Sequence, residues 1–287
     1  MGIDVHKHYQ PRLNFETAAA EDYDFTWLKI AEGPYPYHGT VLEIEGLKDY
    51  YKRIKKAGSL VGFYGFAVET DPDNADRSGR LQAEHFLERA EMLGGVMGKG
   101  VCIDFEQYDG YEPRRWPWLD PSNGTLKSYV GHLRDAIGDH RIIIYSGTGY
   151  WNSDVPSGPF TQYGADVAWS AAYPYDRIVG RPEAYYHTVR DWGWDPARRF
   201  GGVEHEFWQF TGAGTVAHQN IDVDAFRGSR ERLLQIFDRK PFHPKPRPEP
   251  ELAQTELAQT ISLPKGTPRM PEGYCEGSLP YPGSSLT

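Results

Sequence analysis

A βα barrel with a simplified second half is the fold this sequence predicts, on three observations. Short apolar runs alternate with amphipathic stretches from the first residues onward. Eight such runs occur, enough for a sheet to close on itself. Several end in acidic residues, and the carboxyl ends of barrel strands are where such folds carry their chemistry.

The eight predicted strands span 2–6, 25–31, 60–68, 100–106, 141–146, 167–173, 206–211 and 219–223. Helical spacing appears between the earlier ones. Leu47, Tyr50, Tyr51, Ile54 and Ala57 form one apolar stripe. Ala83, Phe86, Leu87 and Ala90 form a second, and Leu126, Tyr129, Val130, Leu133 and Ile137 a third. Asp71-Pro72-Asp73-Asn74 supplies a start signal for the second helix. After Tyr145 the helical periodicity fades and loops rich in Gly and Pro take over. The expected architecture is therefore α/β, a TIM-like (β/α)5(β)3 barrel over residues 1–238. Residues 239–287 read differently. Pro241, Pro244, Pro246, Pro248 and Pro250 form an extended spacer, and Glu-Leu-Ala-Gln-Thr then occurs twice in tandem. That segment is expected to be a Pro-rich linker and largely disordered tail, too short to bury a core.

Composition narrows the function. A net charge of -9 argues against nucleic acid, whose phosphates demand a basic face, and against acidic membranes. Aromatic residues make up 14% of the chain, which suits a large core or a stacking surface. Two cysteines, Cys102 in a strand and Cys275 in the tail, make no disulfide framework. The first residues carry no basic segment followed by a long apolar run, so no signal peptide is expected. No stretch reaches the apolar length of a membrane span.

The most informative segment is Val101-Cys102-Ile103-Asp104-Phe105-Glu106. Strand side chains alternate faces, so Asp104 and Glu106 point the same way, with Cβ atoms roughly 6–7 Å apart. Two carboxyls that close do not ionise freely; one keeps its proton beside a charged neighbour, the pairing that glycoside hydrolysis requires. The competing reading is a strand end whose acids cap a helix or bind an arginine. Asp4 shares a strand face with Gly2 and His6, Glu32 ends a strand, and Asp222 and Asp224 share a face. Closure of the barrel would bring these acids to one mouth, unless some pair with Lys29, Arg141 or Arg177. Tyr64, Tyr145, Trp169, Tyr173 and Trp208 are candidate sugar-stacking walls, with core packing as the alternative for each. Trp116 and Trp118, with Arg114 and Arg115, follow the acidic strand in a loop suited to line a groove.

Other signals are set aside. Gly212-Ala213-Gly214-Thr215 imitates a dinucleotide fingerprint without a following helix. Asp71, Asp73 and Asp76 imitate a calcium loop, but Ala75 and the lack of a turn glycine break it. The ten histidines show no metal-ligand spacing. No cofactor and no metal are expected.

The ordered set of motifs resembles glycoside hydrolase family 25, the Chalaropsis-type lysozymes that include many phage endolysins. Gly2-Ile3-Asp4-Val5 matches the opening strand and Lys29-Ile30-Ala31-Glu32-Gly33 the Lys-Ala-Thr-Glu-Gly strand. Gly62-Phe63-Tyr64-Gly65-Phe66 matches Gly-x-Tyr-His-Phe, and Asp104-Phe105-Glu106 the catalytic Asp-x-Glu. Ile144-Tyr145-Ser146 matches Ile-Tyr-Thr, and Trp169-Ser170-Ala171-Ala172-Tyr173 matches Trp-x-Ala-x-Tyr. Trp208-Gln209-Phe210-Thr211 and Ile221-Asp222-Val223-Asp224 match Trp-Gln-Tyr-Thr and Val-Asp-Leu-Asn. His6 stands where Ser is usual, and Gly65 where His is, which puts substrate contacts in question.

The resemblance implies a flattened barrel and a muramidase cutting the β-1,4 bond between N-acetylmuramic acid and N-acetylglucosamine. Glu106 is then the general acid, completed by Asp104, Asp4 and Asp222, with Glu32 and the five aromatics as substrate contacts. The expected partner is the peptidoglycan glycan strand, with the tail as a possible wall-binding element, and the expected state is a monomer. A phage endolysin held in the host cytoplasm until holin pores open is the expected setting. A non-catalytic glycan-binding or virion structural barrel is the alternative from another class. A family 18 chitinase is disfavoured because Lys99 and Cys102 stand where its motif needs Asp.

Overall fold

The computed structural model of the chain describes residues 1–33, 44–107, 120–153, 158–174 and 180–237. Arg114, Arg115, Trp116, Trp118, Arg177, Cys275 and the Pro-rich segment 239–287 lie outside the described residues.

Eight strands close a barrel: β1 (Gly2–Val5), β2 (Phe25–Glu32), β3 (Leu60–Phe66), β4 (Gly100–Asp104), β5 (Ile142–Gly147), β6 (Val167–Ala171), β7 (Phe207–Val216) and β8 (Gln219–Phe226). Strands β1 to β7 pair in parallel in chain order, and antiparallel β8 closes the ring between β7 and β1. All eight predicted strands are present. Strand β4 ends at Asp104, two residues short of the expected limit, but its ladder continues through the Phe105 amide, which donates to the Tyr145 carbonyl at 2.9 Å. Strand β7 runs through Gly212-Ala213-Gly214, so that glycine cluster is strand and not a phosphate loop.

The predicted helices are α2 (Ile44–Lys56), α3 (Ala75–Met92) and α4 (Asn123–Ile137), preceded by α1 (Phe15–Ala20). Asn74 caps α3 by accepting from the Arg77 amide, and Asp71 pairs with Arg77 at 2.9 Å. Those side chains start a helix; they do not build a cation loop. The second half is less bare than the fading periodicity predicts. After β5 comes the short α5 (Thr148–Ser153), and between β6 and β7 lies the twelve-residue α6 (Pro182–Gly193). Pro182 opens α6 at the first helical position, where its missing N–H costs nothing. Tyr185 and Val189, four apart, bury its inner face. Tyr186 and Trp192 extend that stripe, partly buried against the same core.

Strand parity sorts the core into two layers. Ile3, Leu28, Phe63, Ile103 and Ile144 face outward against the helices. Phe25, Trp27, Cys102, Tyr145, Trp169 and Phe207 fill the barrel interior. Trp27 stacks on Trp169 with centroids 5.1 Å apart. Its ring lies over Gly62 and Gly100, where a Cβ would come within 2.0 and 2.4 Å of it. These two glycines make room for an indole inside the barrel. Strand β8 leads into α7 (Arg230–Ile236), which closes the lower end. Leu233, Ile236 and Phe237 are buried there, Phe237 lying 5.1 Å from Trp27. Apolar packing thus fills the lower barrel and leaves polar side chains for the mouth.

Candidate active site

Carboxyl groups converge at the upper end of the barrel. Asp4, next to last in β1, pairs in register with Asp222 on β8. The two carboxyls share a hydrogen bond, which requires a proton between them. Asp224 lies one pleat deeper, paired with Gly2 and level with Gln209. On the far side Asp104 ends β4, one residue pair across from Tyr145. Glu106 follows it, half-buried at the rim. Its charge acts on Asp104, Asp222 and Tyr145, so the acids of β1, β4 and β8 form one electrostatic unit.

The barrel wall removes these acids from water, and that dominates their titration. Asp104, Asp222 and Asp224 are all held well above the usual carboxylate range. Burial is the main cause for each. The Glu106 charge adds to it at Asp104, and the Asp4 charge at Asp222 and Asp224. Asp4 is pushed up to about 6 by burial and pulled back by hydrogen bonds from Gln209 and Asp222. Asp4 is therefore the aspartate most ready to carry charge. The resemblance implies that Glu106 carries the spare proton; enclosure in the barrel also favours protons on the deeper aspartates.

Gln209 organises the site and was not singled out by sequence. Its Nε2 donates to Asp4 Oδ2 at 2.7 Å. Its Oε1 accepts from Tyr145 Oη at 2.9 Å and from Tyr173 Oη. One amide thus links an acid to two phenols. Parity was the available signal, since Trp208-Gln209 must face opposite sides of β7.

That same parity corrects the aromatic assignments. Trp208 faces outward and is 0% exposed. It packs on Trp192, Trp194 and Phe210, and its Nε1 donates to the Ala172 carbonyl. It has no access to substrate. Trp169 faces inward but is buried beneath the acids, where its Nε1 donates to Asp224 Oδ1 at 2.9 Å. It forms floor, not wall. Tyr64 and Tyr145 line the interior and are nearly enclosed. Tyr173 is open to solvent at 47% exposure, the most exposed of the five predicted aromatics.

Two further expectations change. Glu32 forms an ion pair with Lys29 at 2.6 Å, so its charge is already engaged. Burial opposes the Lys29 charge, but Glu32 and Asp104 outweigh it and hold the ammonium above its ordinary value. Gly65 does not point at the mouth. A Cβ there would lie 2.7 Å from Tyr129 Oη and 2.9 Å from Phe86, in the helix layer. Its replacement of His is a packing adaptation with no reach to substrate. Arg141 pairs with Asp166 at 3.2 Å, away from the acids. Among the described residues no group of three or more His, Cys, Asp or Glu is arranged to hold a metal ion.

A family model described as Glycosyl hydrolases family 25 matches residues 3–219. A solved bacterial lysozyme from Streptomyces coelicolor aligns at 20% identity and TM-score 0.57, over 83% of this chain and 96% of that one. The catalytic domain of a Listeria monocytogenes bacteriophage endolysin aligns at 16% and 0.51, over 83% and 96%. A Streptococcus pneumoniae glycosyl hydrolase 25, described as a virulence factor in host cell invasion, aligns at 14% and 0.53, over 83% and 92%. No curated protein matches the chain. The structural likenesses establish a shared barrel. The family match spans most of that barrel, from the β1 acid to the start of β8, and on it the chain belongs to glycosyl hydrolase family 25 and is a glycoside hydrolase.

Proposed function

We propose that this enzyme is a muramidase that cuts peptidoglycan glycan strands between N-acetylmuramic acid and N-acetylglucosamine. The observation that carries the reading is the ring of acids from β1, β4 and β8 at the open end of the barrel, inside a family of glycoside hydrolases. Glu106 is the general acid, because it sits at the rim where a saccharide arrives. It gives its proton to the glycosidic oxygen as the bond from that oxygen to the sugar C1 breaks, a contribution of about 10²–10⁴ in rate. Positive charge then grows on C1 and the ring oxygen. Asp4, the aspartate most able to ionise, stabilises it with the other acids. Water supplies the hydroxyl that ends on C1, and its remaining proton returns to Glu106. Asp104, enclosed and protonated at rest, has a proton to offer the substrate acetamide beside C1.

The test is Glu106→Gln, assayed by mass spectrometry of digested peptidoglycan. New reducing ends from the parent and a loss of at least about 10²-fold in the variant are expected. A variant as active as its parent would sink the assignment and favour a non-catalytic glycan-binding barrel. Release of free amines in place of reducing ends would point to an amidase.

For the cellular setting we propose lysis of the host late in phage infection, with the enzyme held in the host cytoplasm until pores open. The endolysin domain among the similar structures supports this choice. Expression in a Gram-positive host should lyse cells only when a holin is co-expressed. Lysis without the holin would exclude that route.

A further inference from the structure

Among the described residues the exposed large hydrophobic side chains are Tyr9, Met92 and Tyr173. Both tyrosines belong to the mouth. Tyr173 follows β6 and is tied through Gln209 to Asp4. Tyr9 follows β1, its amide donating to the His6 carbonyl at 3.0 Å, and it is 53% exposed. Its ring rests on His6 at 4.6 Å and on His8 at 5.6 Å. Tyr9 also acts on the charge of Lys29, whose ammonium pairs with Glu32 and feels Asp104. The mouth therefore carries two exposed aromatic rings, one beyond β1 and one beyond β6.

His6 adds an independent sign. It lies two residues past Asp4, on the face that strand parity turns toward the mouth. It is 6% exposed, and neither ring nitrogen has a hydrogen-bond partner among the described residues. An enclosed imidazole with two unmet nitrogens is costly unless something polar meets it. Burial, with Lys29, His8 and Lys7 nearby, holds it uncharged, pushing its pKa down to about 2. A neutral imidazole offers one donor and one acceptor, which suits a sugar hydroxyl or an acetamide better than it suits an anion.

We infer that Tyr9 and His6 form a second saccharide subsite, holding the glycan beyond β1 while Tyr173 meets it beyond β6. The ring face of Tyr9 takes the apolar C–H face of a sugar, and His6 takes one of its polar groups. This rests on the muramidase reading and adds to it a length requirement. A strand reaching both tyrosines is bound by two platforms; a short fragment reaches one.

The experiment titrates soluble peptidoglycan fragments of increasing length into Glu106→Gln protein, with and without Tyr9→Ala, Tyr9→Phe or His6→Ala. Cleavage of the same fragments by proteins with Glu106 intact is followed in parallel. Tyr9→Ala should weaken binding of long fragments roughly three- to tenfold, more than it weakens disaccharide binding. It should raise KM more than it lowers kcat. Tyr9→Phe, which keeps the ring, should recover most of that loss. Thermal melting separates lost binding from lost folding, and exposed Tyr9 should leave the melt unmoved. If the parent cleaves glycan and Tyr9→Ala equals it at every length, this inference falls alone. If the parent neither binds nor cleaves any fragment, the muramidase reading falls and takes the subsite with it.

Discussion

Asp4 shows how one side chain couples stability to chemistry. Its folded pKa of about 6 lies above the ordinary 3.8, so the folded state binds its proton more tightly than the unfolded chain does. That stabilisation is full below about pH 4 and is lost as pH rises through 6. Asp4→Asn should therefore gain stability relative to the parent between pH 4 and pH 7, by at most about 3 kcal/mol. Activity should fall with it, since the same charge serves the transition state. Melting temperatures at the two pH values check this; a difference that does not change with pH would refute it. His205 works in the opposite sense. It is held down to about 4, mainly by burial, so its contribution is lost as pH falls below its ordinary 6.5. Comparing Asp4→Asn with its parent cancels that effect, because both carry His205. Gln209 belongs to the same scale. Gln209→Leu removes the donor to Asp4 and the acceptor for two phenols, and should lower kcat more than it raises KM. An unchanged kcat would show that Asp4 needs no such support.

At the scale of elements, the β6–β7 connection matters most. Helix α6 has its apolar stripe in aromatic residues, Tyr185, Tyr186 and Trp192 with Val189, inside a stretch otherwise polar and flanked by Gly and Pro, which masks it as a loop. Its role appears only with β7 beside it. Gly193 ends the helix at a point where a Cβ would lie 2.2 Å from Trp208. The indole fills that gap among Trp192, Trp194 and Phe210. Trp208→Ala should cost about 3–5 kcal/mol. Where the variant stays folded, the mouth should keep its KM, because Trp208 faces away from it. Chemical denaturation and a KM measurement test both parts, and a raised KM in folded protein would return Trp208 to the substrate wall. Helices α2, α3 and α4 were readable for the opposite reason. Each repeats an apolar residue every three or four positions across several turns, and α3 and α4 add a side-chain cap.

At the scale of the whole molecule, the barrel needs α7 but is proposed not to need the Pro-rich segment. Phe237 is fully buried against Trp27, so the lower end of the barrel is sealed by residues just before position 238. A chain ending at residue 240 is expected to keep the parent's melting temperature and its activity on soluble glycan fragments. A chain ending at residue 229 loses α7 and should fold poorly, with Trp27 and Phe207 opened to water. If loss of 241–287 alone destabilised the barrel, the division at 238 would be wrong.

The sequence by itself determined the strand count, the three periodic helices and the position of the acids Asp4, Asp104, Glu106 and Asp222. Those follow from local rules: a period of two for strands, a period near 3.6 for helices, and acids at strand ends. Only the tertiary structure decided which aromatics see solvent, and that Gln209 joins Asp4 to two tyrosines. Each of these depends on which side of the closed wall a side chain falls and on what lies across the barrel from it. Such pairings join residues as far apart as Asp4 and Gln209, and no local pattern in the chain records them.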